Sequence, residues 1–133
     1  MTRRKKSGPA RPTDAELEIL RCLWRLGPST VRGVHEALTV GRGEDQREIG
    51  YTTVLKLLQI MHDKGLVVRD EGSRAHIYAP ADSKENTQSR LLGDFVDEVF
   101  EGATGELVLQ ALDIAAPLDR EELKRIRKLL DQV

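Results

Sequence analysis

The sequence predicts a mainly α-helical protein with a small β-hairpin, and three observations carry that expectation. Apolar residues recur at helical spacing in six separate stretches. Two short β-favouring runs flank Gly72-Ser73, the pattern of a hairpin. Residues with capping-box spacing stand at Thr13 and Glu16, at Asp82 and Glu85, and at Asp119 and Glu122.

Composition bounds what the chain can do. At 133 residues it is one domain, or two very small ones sharing a core. No apolar run approaches the ~18 residues that span a bilayer, so no membrane insertion is expected. The start, MTRRKKSGPARP, is basic with no apolar stretch behind it, unlike a secretory signal. One cysteine, Cys22, excludes an intrachain disulfide framework and a cysteine-cluster zinc site, and His35, His62 and His76 lack ligand-like spacing. No metal or cofactor is therefore expected, and a reducing cytoplasm is the expected location. The net charge of −1 says little, but its distribution says more. Residues 1–82 hold 14 Lys/Arg against 11 Asp/Glu, net +3, and residues 83–133 hold 7 against 11, net −4. A basic front and an acidic back suggest an anion-binding part joined to a part with another task.

The elements follow in order. Residues 1–12, basic and with Pro9 and Pro12, read as a disordered arm. Arg3, Arg4, Lys5 and Lys6 there either track phosphates or form a solvated tail. The first helix begins at Thr13, and Leu17, Ile19, Leu20, Leu23, Trp24 and Leu26 give it a core-facing stripe. Cys22 sits just off that stripe as a boundary packing residue, and Gly27-Pro28 stops the helix. A second helix, Thr30 to Leu38, places Val31, Val34 and Leu38 on one face, with His35 at its edge as a structural histidine. The polar stretch TVGRGEDQRE reads as a loop whose tail, Glu48 to Gly50, can form a short strand.

The third helix, Thr52 to Lys64, carries the functional argument. Val54, Leu57, Leu58 and Met61 form an apolar stripe at i, i+3, i+4, i+7, flanked by Leu55 and Ile60. The opposite face holds Thr52, Lys56, Gln59 and Asp63, and Gly65 ends the helix. The strands Leu66–Asp70 and Ala75–Ala79 come next. Alternation sets Ala75, Ile77 and Ala79 on one side and His76 with Tyr78 on the other.

Behind Pro80 the chain turns helical again. Apolar faces form from Leu91, Leu92, Phe95, Val96 and Val99, from Leu107, Val108, Leu109 and Leu112, and from Leu123, Ile126, Leu129, Leu130 and Val133. Asp119 is the expected N-cap of the last helix, with Leu118 and Leu123 as a hydrophobic staple. Three short amphipathic helices in so few residues bury too little surface alone, so a second copy is the expected cover. The expected dimerisation residues are Leu92, Phe95, Val96, Val99, Leu107, Val108, Leu112, Leu123, Ile126 and Leu130.

Three helices followed by a hairpin is the order of a winged helix-turn-helix, whose third helix enters the DNA major groove while its wing lies along the backbone or minor groove. The expected organisation is an arm at 1–12, a winged-helix DNA-binding domain at 13–82 and a helical dimerisation domain at 83–133. The outer face of the third helix fits this role, because hydroxyl, ammonium and amide groups read base edges and phosphates. The wing offers Arg69, Arg74 and His76, with Arg74 beside the tip and Glu71 weakening the basic patch.

The segments ELEILRCLWRLGPSTVRGVHEAL and IGYTTVLKLLQIMHDKGLVVRDEGSRAHIYAP resemble the BlaI/MecI/CopY family of penicillinase repressors, and the likeness runs from about Thr13 to the C-terminus. The resemblance implies a bacterial homodimeric repressor on a dyad of double-stranded operator DNA, with β-lactam-resistance genes as its expected targets. It places the recognition residues at Tyr51, Thr52, Thr53 and Lys56 and the wing contacts at Arg74 and His76. It also implies a membrane sensor protease as a partner acting on the rear half. Repressors of the β-lactam branch are cut at an Asn-Phe bond, where this chain has Gln110-Ala111. The copper-sensing branch carries a C-terminal cysteine cluster, whereas this chain has only Cys22. The competing expectation is a winged-helix module for protein–protein assembly, without DNA binding. No nucleophile–base arrangement, paired carboxylates or glycine-rich phosphate loop points to an enzyme.

Overall fold

A computed structural model describes residues 11–41, 49–72 and 74–133. Among them are six helices and a three-stranded sheet: α1 (Asp14–Leu26), β1 (Ser29–Thr30), α2 (Val31–Gly41), α3 (Tyr51–Asp63), β2 (Val67–Asp70), β3 (Ile77–Pro80), α4 (Lys84–Val99), α5 (Thr104–Ile114) and α6 (Arg120–Gln132). The order α1-β1-α2-α3-β2-β3 is that of a winged helix-turn-helix. Most of the N-terminal arm and of the α2–α3 loop lies outside the described residues.

Local chemistry explains the boundaries. The Thr13 hydroxyl accepts from the Glu16 N–H, and the Glu16 carboxylate accepts from the Thr13 N–H at 2.9 Å, a complete capping box. Gly27, at φ 84°, closes α1 by donating its N–H to the Leu23 carbonyl at 2.8 Å. Helix α3 ends in a Schellman motif. The Leu66 N–H reaches the Met61 carbonyl at 2.9 Å, the Gly65 N–H reaches His62 at 3.1 Å, and Gly65 takes φ 79°. Lys64 is thus the C-cap, and Gly65, read from the sequence as the cap, is the left-handed residue after it.

The sheet order is β1-β3-β2, all antiparallel. Arg69 faces Tyr78 in register, and Ser29 pairs with Tyr78 from the other side. The expected strand tail at Glu48–Gly50 is not a strand at Ile49 or Gly50; the third strand comes from Ser29–Thr30. Tyr78 is fully buried, whereas His76, one residue ahead of β3, is exposed, so the side they share is covered at one and open at the other. Alternation holds only within the strand, and it begins at Ile77.

The chain divides into two compact units, one ending at Leu92 and the other comprising Gly93–Val133. The division lies inside α4, past the 82/83 boundary read from the sequence. The first turns of α4 belong with the front unit, where Thr87 is buried and Arg90 faces Asp82 at 3.9 Å. Its start also differs from expectation. Ser83, not Asp82, accepts the Asn86 N–H at 3.0 Å, while Asp82 accepts from the Ser83 N–H.

The front core is built by Ile19, Leu20 and Leu23 of α1, Val31, Val34 and Leu38 of α2, and Val54, Leu58 and Met61 of α3. Leu66, Val67 and Tyr78 close it from the sheet side. Each such side chain contributes about 1.5–3 kcal/mol by leaving water. Cys22 joins this core, more deeply than the boundary position read from the sequence, and burial pushes its thiol pKa up. Leu57, placed in the α3 stripe by periodicity, is only half-buried against the core.

The rear unit is different in kind. Neither α5 nor α6 buries a single residue. Phe95 and Phe100 meet at 5.9 Å between ring centroids, and Glu101 and Gly102 turn the chain through positive φ. Asp119 and Glu122 form the expected capping box at the start of α6. Among the described residues no helix is long and apolar enough to cross a membrane.

Candidate nucleic-acid interface

Helix α3 separates its faces cleanly. Val54, Leu58 and Met61 point into the core, while Thr52, Thr53, Lys56 and Gln59 are exposed. The core contacts fix the helix's rotation, so this phase sets which groups meet solvent. Tyr51, the first residue of α3, is 48% exposed.

Both ends of α3 are tied to other helices of the front unit. At its C-terminal end the Lys64 ammonium meets the buried Glu16 carboxylate of α1 at 2.5 Å. Burial alone would push the Glu16 pKa up. The hydrogen bonds from Lys64 and from the Thr13 backbone outweigh it and hold the carboxyl below the usual carboxylate value. At the other end, the N-cap Gly50 offers no side chain to cap the helix. His35 of α2 reaches the backbone just ahead of it. Its Nε2 lies 2.9 Å from the Ile49 carbonyl, and its ring stands edge-on to Tyr51 at 5.9 Å.

The wing turns through an Asx geometry in which the Gly72 N–H donates to Asp70 Oδ1 at 2.8 Å. Arg69 is paired with Glu71 at 2.5 Å, so its charge is compensated locally. Arg74 and His76 are exposed. An open groove of about 530 Å³ runs between the starts of α2 and α3 and the wing. Arg32, Tyr51, Arg74, His76 and the buried Tyr78 line it, with Leu55 at its apolar floor. The groove therefore brings together Tyr51, Arg74 and His76 from the sequence-predicted set. Thr52, Thr53, Lys56 and Gln59 are on the exposed side of α3 without lining it.

Sequence reasoning missed Arg32. It sits in the first turn of α2, just after Thr30, whose hydroxyl accepts the Gly33 N–H at 3.1 Å. That N-cap spacing was the available signal, because a cation there lies on the side that meets α3 and the wing. His35 and Lys64 were missed as ties because their partners lie 14 and 48 residues away in sequence. Among the described residues no group of three or more His, Cys, Asp or Glu is placed to hold a metal ion.

The ten apolar residues assigned to a second copy divide into three groups. Leu92, Phe95, Val99, Val108, Leu112 and Leu130 are exposed, and Leu107, Leu123 and Ile126 are half-buried. Val96 is buried within the single chain, which removes it from any uncovered face.

Comparison with known proteins gives four findings. Residues 12–132 match the family described as penicillinase repressor. The transcriptional regulator BlaI of Mycobacterium tuberculosis is 34% identical over 97 residues, covering 72% of this chain and 67% of that protein. The monomeric form of Bacillus licheniformis BlaI, solved in solution with the blaP half-operator, aligns with a TM-score of 0.47 and 19% identity over 58% of this chain and 88% of that one. A transcriptional regulator from Thermotoga maritima aligns with a TM-score of 0.45 and 18% identity over 90% of this chain and 77% of that one.

Proposed function

Since the chain belongs to the penicillinase repressor family, we propose that it is a DNA-binding transcriptional repressor holding a palindromic operator as a homodimer. The observation that carries this reading is the face of α3. A hydroxyl pair, an ammonium and an amide (Thr52, Thr53, Lys56 and Gln59) stand exposed on a helix whose other side is locked in the core. These groups are the ones that read base edges in the major groove. Beside them Tyr51, Arg74, His76 and Arg32 surround a groove suited to a phosphate backbone.

The homodimer is supported by the rear unit. Two helices that bury nothing, with Leu109, Leu112, Leu129 and Leu130 uncovered, need a cover, and a second copy is the commonest one. Two α3 helices about one DNA turn apart would then match a dyad. Release by a membrane sensor protease would act on α5, where Gln110-Ala111 stands in place of the Asn-Phe bond. A protease specific for that bond is not expected to cut this chain.

Selection of duplexes from a random pool, followed by titration against salt, tests the reading. The selected sequence is expected to be a dyad. Its affinity is expected to fall on the order of 10³–10⁵-fold between about 50 and 200 mM salt if 6–10 phosphates are neutralised. No selected sequence, or binding indifferent to salt, would favour a protein–protein assembly module.

A further inference from the structure

We propose that His35 is a positioning residue for the DNA-reading end of α3, an inference that rests on the repressor reading above. The carbonyl of Ile49 can only accept, so the Nε2 at 2.9 Å carries the hydrogen and donates it. Ile49 is the second residue before α3, and the N-cap between them, Gly50, has no side chain to satisfy the first turn. The same imidazole lies edge-on to Tyr51, centroids 5.9 Å apart and planes at 79°. One side chain of α2 thus holds both the backbone leading into α3 and the first side chain of α3.

Apolar packing does not require it. Val31, Val34 and Leu38 supply the buried face of α2, and His35 itself is half-buried. Its contacts run to Tyr51, which is half-exposed and lines the groove with Arg32, Arg74 and His76. A helix start without a side-chain cap frays readily, and a frayed first turn presents Tyr51, Thr52 and Thr53 in many orientations. Holding that turn fixes the orientation before DNA arrives, which favours the specific complex over the non-specific one.

The test is a double-mutant cycle on the full chain with His35→Phe, which keeps ring volume but removes the donor, and Tyr51→Ala. His35→Ala, which removes ring and donor together, is run as the second variant. Either His35 variant is expected to lower affinity for the selected dyad about tenfold and affinity for random duplex less than about twofold. In the Tyr51→Ala background the loss from His35→Ala should shrink, because the ring contact is already gone, while the part owed to the Ile49 bond persists. Amide exchange should quicken at Val54–Lys56, whose N–H groups make the first backbone hydrogen bonds of α3, and stay unchanged in α1. Equal losses on dyad and random duplex, an undiminished His35→Ala loss beside Tyr51→Ala, or unchanged exchange at the start of α3 would overturn the proposal. If the wild-type chain selects no sequence, the repressor reading falls, and the exchange pattern alone decides whether His35 holds the helix start.

Discussion

Lys56 and Thr52 stand on the solvent side of α3, and Leu58 fills its inner side. Lys56→Ala and Thr52→Ala are therefore expected to leave the melting temperature and far-UV spectrum nearly unchanged. Each should weaken operator binding, by about 1–3 kcal/mol where the lost contact is to a base edge. Leu58→Ala is expected to do the opposite and destabilise the fold by roughly 2–5 kcal/mol, since it opens a cavity in the front core. Calorimetry and DNA titration on the same preparations separate the two effects. Glu16 tests another residue-scale claim. Its carboxyl pKa is held low in the folded state, so the stability it contributes is present above its unfolded pKa, ~4.3, and is lost as pH falls through the lower folded value. Glu16→Gln should be less stable than wild type near neutrality. The difference should narrow as urea melts are repeated down to about pH 3, below that unfolded pKa. A constant difference across that range would remove the linkage between Glu16 ionisation and stability.

Elements with strong local chemistry were legible from the sequence. The capping boxes at Thr13/Glu16 and Asp119/Glu122 form as read, because all their partners lie within three residues. The apolar stripe of α3 was readable for Val54, Leu58 and Met61, since a helix repeats every 3.6 residues whatever it packs on. Strand β1 was not legible, because two residues carry no periodicity and Ser29–Thr30 is a strand only through its pairing with β3. The different exposure of Tyr78 and His76 was not legible, because alternation tells two faces apart but not how deeply each residue is covered, nor where the strand begins. The candidate site was legible where it depended on helix phase. It was not legible where it depended on distant chain segments, as with Arg32, His35 and Lys64. Gly65 offers a test at this scale. A side chain at φ 79° is strained, so Gly65→Ala should cost about 1–2 kcal/mol in thermal or urea unfolding. The same change at Gly50, which has an ordinary extended φ of −74°, should cost less.

For the whole molecule, the uncovered apolar residues of α5 and α6 set the expectation in solution. Sedimentation of the full chain at micromolar concentration should show a dimer, and a chain ending at Leu92, where the front unit ends, should be a monomer. The shortened chain should bind the dyad about 10²–10⁴-fold more weakly, because the second half-site contact is no longer intramolecular. A full-length monomer would refute the homodimer. The buried cysteine of α1 has a consequence of its own. Cys22 is the chain's one thiol and is 2% exposed inside the front core. A thiol reagent can reach it only while that core is open, since the reactive thiolate must meet the reagent in solvent. Its labelling rate is thus a clock for opening of the DNA-reading unit alone. Addition of operator duplex should slow the clock in proportion to occupancy, by the linkage that makes any ligand of the folded state protect it. Cutting the chain within α5 should leave the rate in the absence of DNA almost untouched, so a single reagent would distinguish a repressor that has lost its partner from one that has lost its fold.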